Sequence, residues 1–250
     1  MNKIVHMNNN KTIINQGLFM KKIIAISILS VGCSDIKSSA LNTSGIHAEI
    51  SAMVENGTTS VDVILRAGDA NSLTYVELDE GDKLEATDGT DTNGLDHSNF
   101  GSIHSYDALF NQTDPGTEFT ISLLRELEDD APTSVATLTQ DLTIILENDV
   151  HSQQDPLTIA WEASEPGDET LYLNASGSCI FSIKEEVPLS DGSYTINSSD
   201  FESTNDETQQ ESCELDIVLE RRLVGTLDPA YGSGKVYGGV RKRTSIRLDP

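Results

Sequence analysis

Residues 46–67 have the sequence IHAEISAMVENGTTSVDVILRA, which decides the fold class of this chain. Apolar side chains take every second position on both sides of the pair Asn56-Gly57. They are Ile46, Ala48, Ile50, Ala52 and Val54 before the pair, and Val61, Val63 and Leu65 after it. Side chains two residues apart in a strand share one face. An Asn-Gly pair between two alternating runs is typical of a tight turn between strands. The segment therefore predicts a β-hairpin with one buried face.

The same period of two continues along the chain, and no apolar stripe with a period of 3.6 residues persists. Further strands are expected at 72–78, 82–87, 117–127 and 138–147, with a weaker one near 103–109. Later strands are expected around Leu157 to Trp161, Leu171 to Leu173, Cys179 to Ile183, Tyr194 to Ile196, Cys213 to Leu219 and 236–248. Residues 104–111 have room for one or two helical turns instead. Short strands separated by turn signals predict an all-β protein built from sandwiches.

Two tandem domains are predicted, at 45–150 and 155–250, because a polar stretch from Ser152 to Pro156 interrupts the alternation. Each half has about the 100 residues that are usual for an immunoglobulin-like antiparallel β-sandwich. Trp161, on an early strand and near a cysteine pair, resembles the core tryptophan of that architecture. The cysteines do not follow the immunoglobulin spacing, and the resemblance implies a fold without implying a function.

The first 32 residues contain no Asp or Glu, and a short apolar run from Ile23 to Leu29 follows Lys21 and Lys22. A basic segment, a short apolar run and small residues are typical of an export signal. The run is shorter than the roughly 20 apolar residues that span a bilayer. We therefore predict a cleaved leader at 1–32, with Met20 as an alternative start. The serines and threonines of residues 33–44 then predict a flexible tether.

The leader ends in the sequence LSVGC, from Leu29 to Cys33. This motif resembles the lipobox of bacterial lipoproteins, although Ser30 stands where that family usually has leucine. The resemblance implies that Cys33 receives a diacylglycerol before the leader is removed. It also implies sorting to the outer membrane, because Ser34 rather than aspartate follows the cysteine. The expected location is therefore the cell envelope, on a lipid anchor in the membrane. A plain secretory signal is the alternative.

Cys179 and Cys213 are the two cysteines that remain after the leader. Each begins an alternating run and shares a face with its apolar neighbours, and disulfides persist outside the cytoplasm. We predict a disulfide between them, which would close a loop of about 34 residues and stabilise the fold by roughly 3–4 kcal/mol. Two buried thiols, or a metal site with further ligands, are the alternatives.

The composition and the motifs exclude several classes of function. The chain has 41 acidic and 16 basic residues, a net charge of −25, so a broad surface for nucleic acid is not expected. No nucleophile elbow, zinc-protease motif, phosphate loop or dinucleotide fingerprint is present. The histidines His47, His97, His104 and His151 are scattered, and solvated turns are expected for three of them rather than a metal site. We therefore expect no catalysis and no cofactor.

The acidic stretch from Asp79 to Asp96 is a candidate for calcium binding, since Ca²⁺ prefers six to eight oxygen ligands. Its candidate ligands are Asp88, Asp91, Asn93 and Asp96. The EF-hand template fails, because Gly89 lies where the template needs an acidic residue before Gly94. A calcium loop of another kind is one interpretation, and a solvated acidic loop is the favoured one.

The C-terminal segment has a net positive charge, whereas the chain as a whole is negative. Residues 221–250 carry seven basic and two acidic residues, and Arg241, Arg243 and Arg247 share one face of the last predicted strand. The favoured interpretation is pairing with the acidic face of the strand that begins at Cys213. The alternative is a stripe that binds phosphates or an acidic partner.

Five glycines between Gly225 and Gly239 predict either a long turn or a mobile binding loop.

These observations favour a structural or protein-interaction module of the cell envelope, presenting loops or an edge strand to an unknown envelope protein. A ligand-, glycan- or calcium-binding adhesion module is the alternative. Shallow loops and an unpaired edge strand would favour the first function, whereas a deep pocket with converging polar groups would favour the second.

Overall fold

The computed structural model describes residues 34–164, 167–204 and 212–250. These residues form 18 strands and four 3-10 helices of three residues each, so the prediction of an all-β fold is confirmed. The 3-10 helices are Ser38–Ala40, Thr43–Gly45, Leu189–Asp191 and Ser198–Asp200. Residues 104–111, for which a helical turn was one possibility, belong almost entirely to a strand.

The strands of the first half are β1 (Ser34–Lys37), β2 (Ile46–Glu55), β3 (Thr58–Ala67), β4 (Thr74–Glu77), β5 (Lys83–Thr87), β6 (Thr92–Gly94), β7 (Asp96–Phe100), β8 (Ile103–Phe110), β9 (Glu118–Leu124), β10 (Ala131–Thr137) and β11 (Leu142–Ile145). Those of the second half are β12 (Val150–Ser152), β13 (Leu157–Ala163), β14 (Thr170–Gly177), β15 (Ile180–Val187), β16 (Ser193–Ile196), β17 (Cys213–Val224) and β18 (Ser233–Asp249). The predicted hairpin is β2–β3: Asn56 and Gly57 have φ values of 52° and 81°, as its two-residue turn requires.

One sheet of 11 strands, the long sheet, runs through both halves of the chain. Its main path is β1-β4-β3-β2-β18-β17-β14-β15, with β8 also paired to β3, β7 to β8 and β12 to β18. Two smaller sheets accompany it. The first cover sheet has the order β10-β9-β5-β6, and the second has the order β11-β13-β16.

Each cover sheet packs on its own part of the long sheet and encloses a separate apolar core. The first core contains alternating residues of β2 and β3 together with Phe119 and Ile121 of β9. The second contains Trp161, whose indole N–H donates to the carbonyl of Leu189 at 3.0 Å. Val54 packs against both cores, so the two sandwiches meet at the end of β2.

Strand β18 joins the two halves, which differs from a tandem pair of self-contained antiparallel domains at 45–150 and 155–250. Its first part pairs in parallel with β2, with Val236 opposite Ile50, and most of its length pairs antiparallel with β17. The pairs β1–β4 and β12–β18 are parallel as well. Alternation predicts which face of a strand is buried, but it does not determine the neighbouring strand or its direction.

The prediction of a flexible tether is wrong for residues 34–44. β1 pairs with β4, and Ser38 and Thr43 are buried. The Arg125 guanidinium binds this segment, donating to the carbonyls of Ser38 at 2.7 Å and Leu41 at 3.1 Å, and to Thr43 Oγ1 at 3.1 Å. A segment rich in serine and threonine is held here because a buried cation satisfies its backbone carbonyls.

The glycine-rich segment from Gly225 to Gly239 is a turn that leads directly into β18, which begins at Ser233. The Asp228 carboxylate is buried and accepts hydrogen bonds from the N–H and the hydroxyl of Thr133 at 2.8 and 2.6 Å. Further on, a Cβ atom at Gly238 would lie 2.0 Å from the carbonyl oxygen of Thr137. Glycine at this position therefore lets β18 approach the backbone of β10, where the first cover sheet meets the long sheet.

Candidate functional site

A cluster of polar side chains lies where β4 and β8 diverge from the same edge of β3. The two strands pair with different parts of β3, β8 opposite residues 59–63 and β4 opposite Arg66. Tyr106 of β8 bridges the gap, since its hydroxyl donates to the Val76 carbonyl at 3.2 Å and accepts the Leu78 N–H at 2.8 Å. Burial raises the pKa of Tyr106 to about 12, so this hydroxyl stays protonated as a structural brace.

His104 lies two residues before Tyr106 and is also buried, with 3% of its surface exposed. Its Nε2 atom is 3.7 Å from Asp35 Oδ2 and has no hydrogen-bond partner. Asp35 of β1, Glu77 of β4 and His104 place their ligand atoms within 4.8 Å of one another. Among the described residues, no other group of three acidic, histidine or cysteine side chains comes this close together.

The other ring nitrogen of His104 faces a second histidine. His104 Nδ1 lies 2.9 Å from His97 Nε2, and the two rings stack with centroids 5.1 Å apart. The His97 ring also stacks on Tyr106 at 5.1 Å. The expectation that such histidines occupy solvated turns is wrong, since His97, His104 and His151 all lie on strands. His104 is in addition buried, because β7 and β8 form a hairpin that covers its ring with His97.

Glu77 has a cationic neighbour at the outer side of the cluster. Lys37 Nζ lies 2.8 Å from Glu77 Oε2, and the two residues are opposite each other in the β1–β4 pair. The hydrogen bond from Lys37 lowers the pKa of the Glu77 carboxyl, which is therefore charged at neutral pH. Lys37 is half exposed, so its ammonium group can move away from the carboxylate.

The sequence contained a weak signal for this cluster. His97 and His104 are seven residues apart around Gly101-Ser102, a spacing that fits the two arms of a hairpin. Asp35 and Glu77 could not be selected among 41 acidic residues. Asp35, moreover, lay in the segment for which a tether was predicted.

The predicted calcium ligands are divided between one turn and two strands that belong to different sheets. Asp88 and Asp91 are in the turn between β5 and β6, Asn93 is on β6, and Asp96 is on β7. Asp88 Oδ1 accepts the N–H groups of Thr90 at 2.8 Å and Asp91 at 2.7 Å, and these bonds lower the pKa of the carboxyl. The Asp88 carboxylate thus closes a turn, as aspartate commonly does.

The arginines of the predicted stripe all have carboxylates within 4 Å. Arg241 contacts Glu220 at 2.6 Å and Glu55 at 3.4 Å, Arg243 lies 3.7 Å from Glu55, and Arg247 lies 2.8 Å from Asp249. Burial of Glu220 opposes its charged form, but Arg241 and Arg222 outweigh burial and lower its pKa. Arg241 alone pairs across the β17–β18 ladder, as predicted, whereas Arg243 reaches Glu55 of β2 and Arg247 reaches Asp249 of its own strand. The geometry favours internal pairing over a free anion-binding stripe.

The hairpin of β7 and β8 presents an open strand edge. Every residue of β7 is exposed, and β8 is its sole strand partner in the described part of the chain. The turn is Gly101-Ser102, with Gly101 at φ 63°, and Phe100 at its start is 86% exposed. Natural proteins usually protect such an edge with lysine, proline or a bulge. Here Asp96, at the beginning of the strand, is its one charged residue.

The predicted disulfide is present between Cys179 and Cys213, with their Cα atoms 5.8 Å apart. The lipidation prediction at Cys33 lies outside the described residues. None of the helices in the described ranges has the length and apolarity needed to cross a membrane.

Comparison with known proteins gives no family assignment. No protein-family model matches the chain, and no curated protein shows significant sequence similarity to it.

Proposed function

We propose that this protein is a non-catalytic interaction module of the cell envelope, attached to the outer membrane through lipid on Cys33. The module binds an extended segment of a partner protein along the free edge of β7. Strand addition of this kind derives its affinity from main-chain hydrogen bonds. The open, exposed edge of β7 is the observation that supports the proposal.

The pairing of the hairpin determines which backbone groups are free for a partner. Phe100 and Ile103 close the ladder around the two-residue turn. In a two-residue hairpin this closing pair is hydrogen-bonded, and the pairs alternate along an antiparallel ladder. The N–H and C=O groups of Asn99 and His97 therefore point away from β8, toward the open edge. A strand added there would extend the long sheet beyond β7.

A proline at position 99 tests the use of this edge. Asn99→Pro removes one N–H group from the open side of β7. Edge strands tolerate proline, because its φ is compatible with a strand and the lost N–H is not used within the sheet. The matched control, Asn99→Ala, keeps the N–H and removes the same side chain. After crosslinking in the native envelope, we expect Asn99→Pro to lose most of the crosslinked partner, and Asn99→Ala to retain it.

Equal crosslinking by the two variants would contradict a role for the β7 edge. Recovery of no protein partner by the unmodified chain, together with binding to a glycan array, would instead support an adhesion module. Both variants are first compared with the unmodified chain by circular dichroism, so that a lost partner is not attributed to a lost fold.

The anchor is tested separately by Cys33→Ala. Without the thiol no diacylglycerol can be attached, and a protein without acyl chains loses the hydrophobic contribution of about 0.8 kcal/mol per buried CH₂ group. We expect the protein to move from the membrane fraction to the soluble fraction of the envelope. Unchanged partitioning of Cys33→Ala in detergent-free fractionation would remove lipidation from the proposal.

A further inference from the structure

We propose that Asp35, Glu77 and His104 bind a divalent transition-metal ion of the zinc class. The inference goes beyond the proposed interaction function and does not depend on it. The three ligands come from β1, β4 and β8, which are distant in sequence and adjacent in the long sheet. A bound ion would therefore join three strands at the place where β4 and β8 separate.

The buried nitrogen of His104 is the first observation that points to a ligand. A buried polar atom without a partner is costly, and proteins rarely contain one without a role. His104 Nε2 is buried, has no hydrogen-bond partner, and faces Asp35 Oδ2 at 3.7 Å, beyond hydrogen-bond distance. A cation between this nitrogen and the carboxylate would satisfy both groups.

The spacing of the ligand atoms suits a small metal ion. Bonds of about 2.0–2.1 Å in a tetrahedral site place neighbouring ligand atoms about 3.3 Å apart. The nitrogen–oxygen distance of 3.7 Å between His104 and Asp35 needs only a small closure, and all three ligand atoms lie within 4.8 Å of one another. Asp35 is largely exposed, so its side chain can move without disturbing the core. Water can complete the coordination of an ion with three protein ligands.

His97 is the hydrogen-bond partner that a metal-binding histidine usually has at its other ring nitrogen. Such a histidine donates its other ring N–H to a neighbouring group, which fixes its orientation and its tautomer. With the proton on His104 Nδ1, the 2.9 Å contact is a hydrogen bond to His97 Nε2. The lone pair of His104 Nε2 then points toward the two carboxylates. Stacking of His97 on His104 and Tyr106 holds this arrangement.

The donor set selects the class of ion. Imidazole suits zinc and other late first-row ions, whereas Ca²⁺ and Mg²⁺ prefer oxygen ligands in larger number. One imidazole and two carboxylates therefore favour Zn²⁺ over Ca²⁺. The site also differs in place and in chemistry from the acidic turn around Asp88 and Asp91.

Lys37 allows a test in which a substitution should strengthen Zn²⁺ binding, whereas substitution of a ligand should weaken it. Its ammonium group lies 2.8 Å from Glu77 Oε2 and competes with a metal ion for that carboxylate. Lys37→Gln removes the competing charge from a half-exposed side chain. If the site binds Zn²⁺, we expect this variant to bind it severalfold more tightly. A purely structural role for the cluster would give no such gain.

The experiment is calorimetric titration of the full chain with Zn²⁺ alone. We expect saturable binding of one ion, weakened at least tenfold by Asp35→Asn or by Glu77→Gln, both of which preserve side-chain size. His97→Phe keeps the stacked ring but removes the hydrogen-bond acceptor, and a loss of tenfold or more is expected. The matched control is Asp91→Asn, which removes one exposed acidic group elsewhere and should leave the affinity unchanged.

Three results would overturn the proposal. They are no saturable binding of Zn²⁺ by the unmodified chain, unchanged affinity in Asp35→Asn and Glu77→Gln, and an equal loss in Asp91→Asn. The last result would show diffuse binding to the acidic surface. Because none of these substitutions alters an apolar core residue, circular dichroism can confirm the fold of each variant before titration.

Discussion

Arg125→Met is expected to lower the free energy of unfolding by about 3–5 kcal/mol, the usual effect of removing one partner from a buried ion pair. Arg125 Nε lies 2.8 Å from Asp82 Oδ2, and the exposed fractions of the two side chains are 1% and 7%. Methionine fills a similar volume but leaves the Asp82 charge buried without its cation. The carbonyls of Ser38 and Leu41 would also lose their donor.

The measurement is urea unfolding followed by circular dichroism, with Arg243→Met as the matched control. Arg243 is more than half exposed and lies 3.7 Å from Glu55, so its loss should cost less than about 1 kcal/mol. Hydrogen exchange provides a second measurement, because residues 38–43 should lose protection in Arg125→Met and keep it in the control. Similar unfolding curves for the two variants would show that Arg125 does not hold this segment.

The strands themselves could be predicted because burial in this protein follows the alternation of the sequence. Ile46, Ala48 and Ile50 are all buried on one face of β2, as their spacing indicates. The turn at Asn56-Gly57 needed only the local preference of these residues for positive φ. The disulfide could be predicted for a related reason, since each cysteine begins an alternating run.

The connection between the two halves could not be predicted from alternation. β18 presents Val236 to the first core and Ile246 to the second, and both lie on the same face of one strand. A single apolar face of this length fits one core or two equally well. The parallel pairing with β2 depends on contacts between residues 186 positions apart in the sequence, about which a local pattern carries no information.

The candidate metal site was hidden for a different physical reason. Acidic residues are so frequent here that Asp35 and Glu77 carry no signal by themselves, and their proximity arises only from the parallel pairing of β1 with β4. His104 alternates with Tyr106 and Ala108 on β8, so its burial follows from the strand register. The sequence predicts only a weak strand near 103–109, with helical turns over 104–111 as an alternative, so it does not establish that register.

Removal of the disulfide is expected to destabilise the second core by about 3–4 kcal/mol, because the unfolded chain regains the entropy of a loop of about 34 residues. Cys179 is buried in that core, and Cys213 packs against its edge at the start of β17. The double variant Cys179→Ala and Cys213→Ala removes the bond without leaving a free thiol at either position. Alanine also keeps both positions apolar, so lost packing adds little to the effect.

Trp161 makes this loss measurable in the part of the protein where it occurs. It is the single tryptophan of the chain and lies in the second core, so its fluorescence reports the unfolding of that core during a urea titration. Reducing agent provides the matched control, since it should shift the unmodified protein to the midpoint of the double variant and leave the variant unchanged. Coincident unfolding curves for the oxidised protein and the double variant would mean that β15 and β17 hold together without the bond. In that case the pairing of both strands with β14, rather than the covalent link, would stabilise this end of the long sheet.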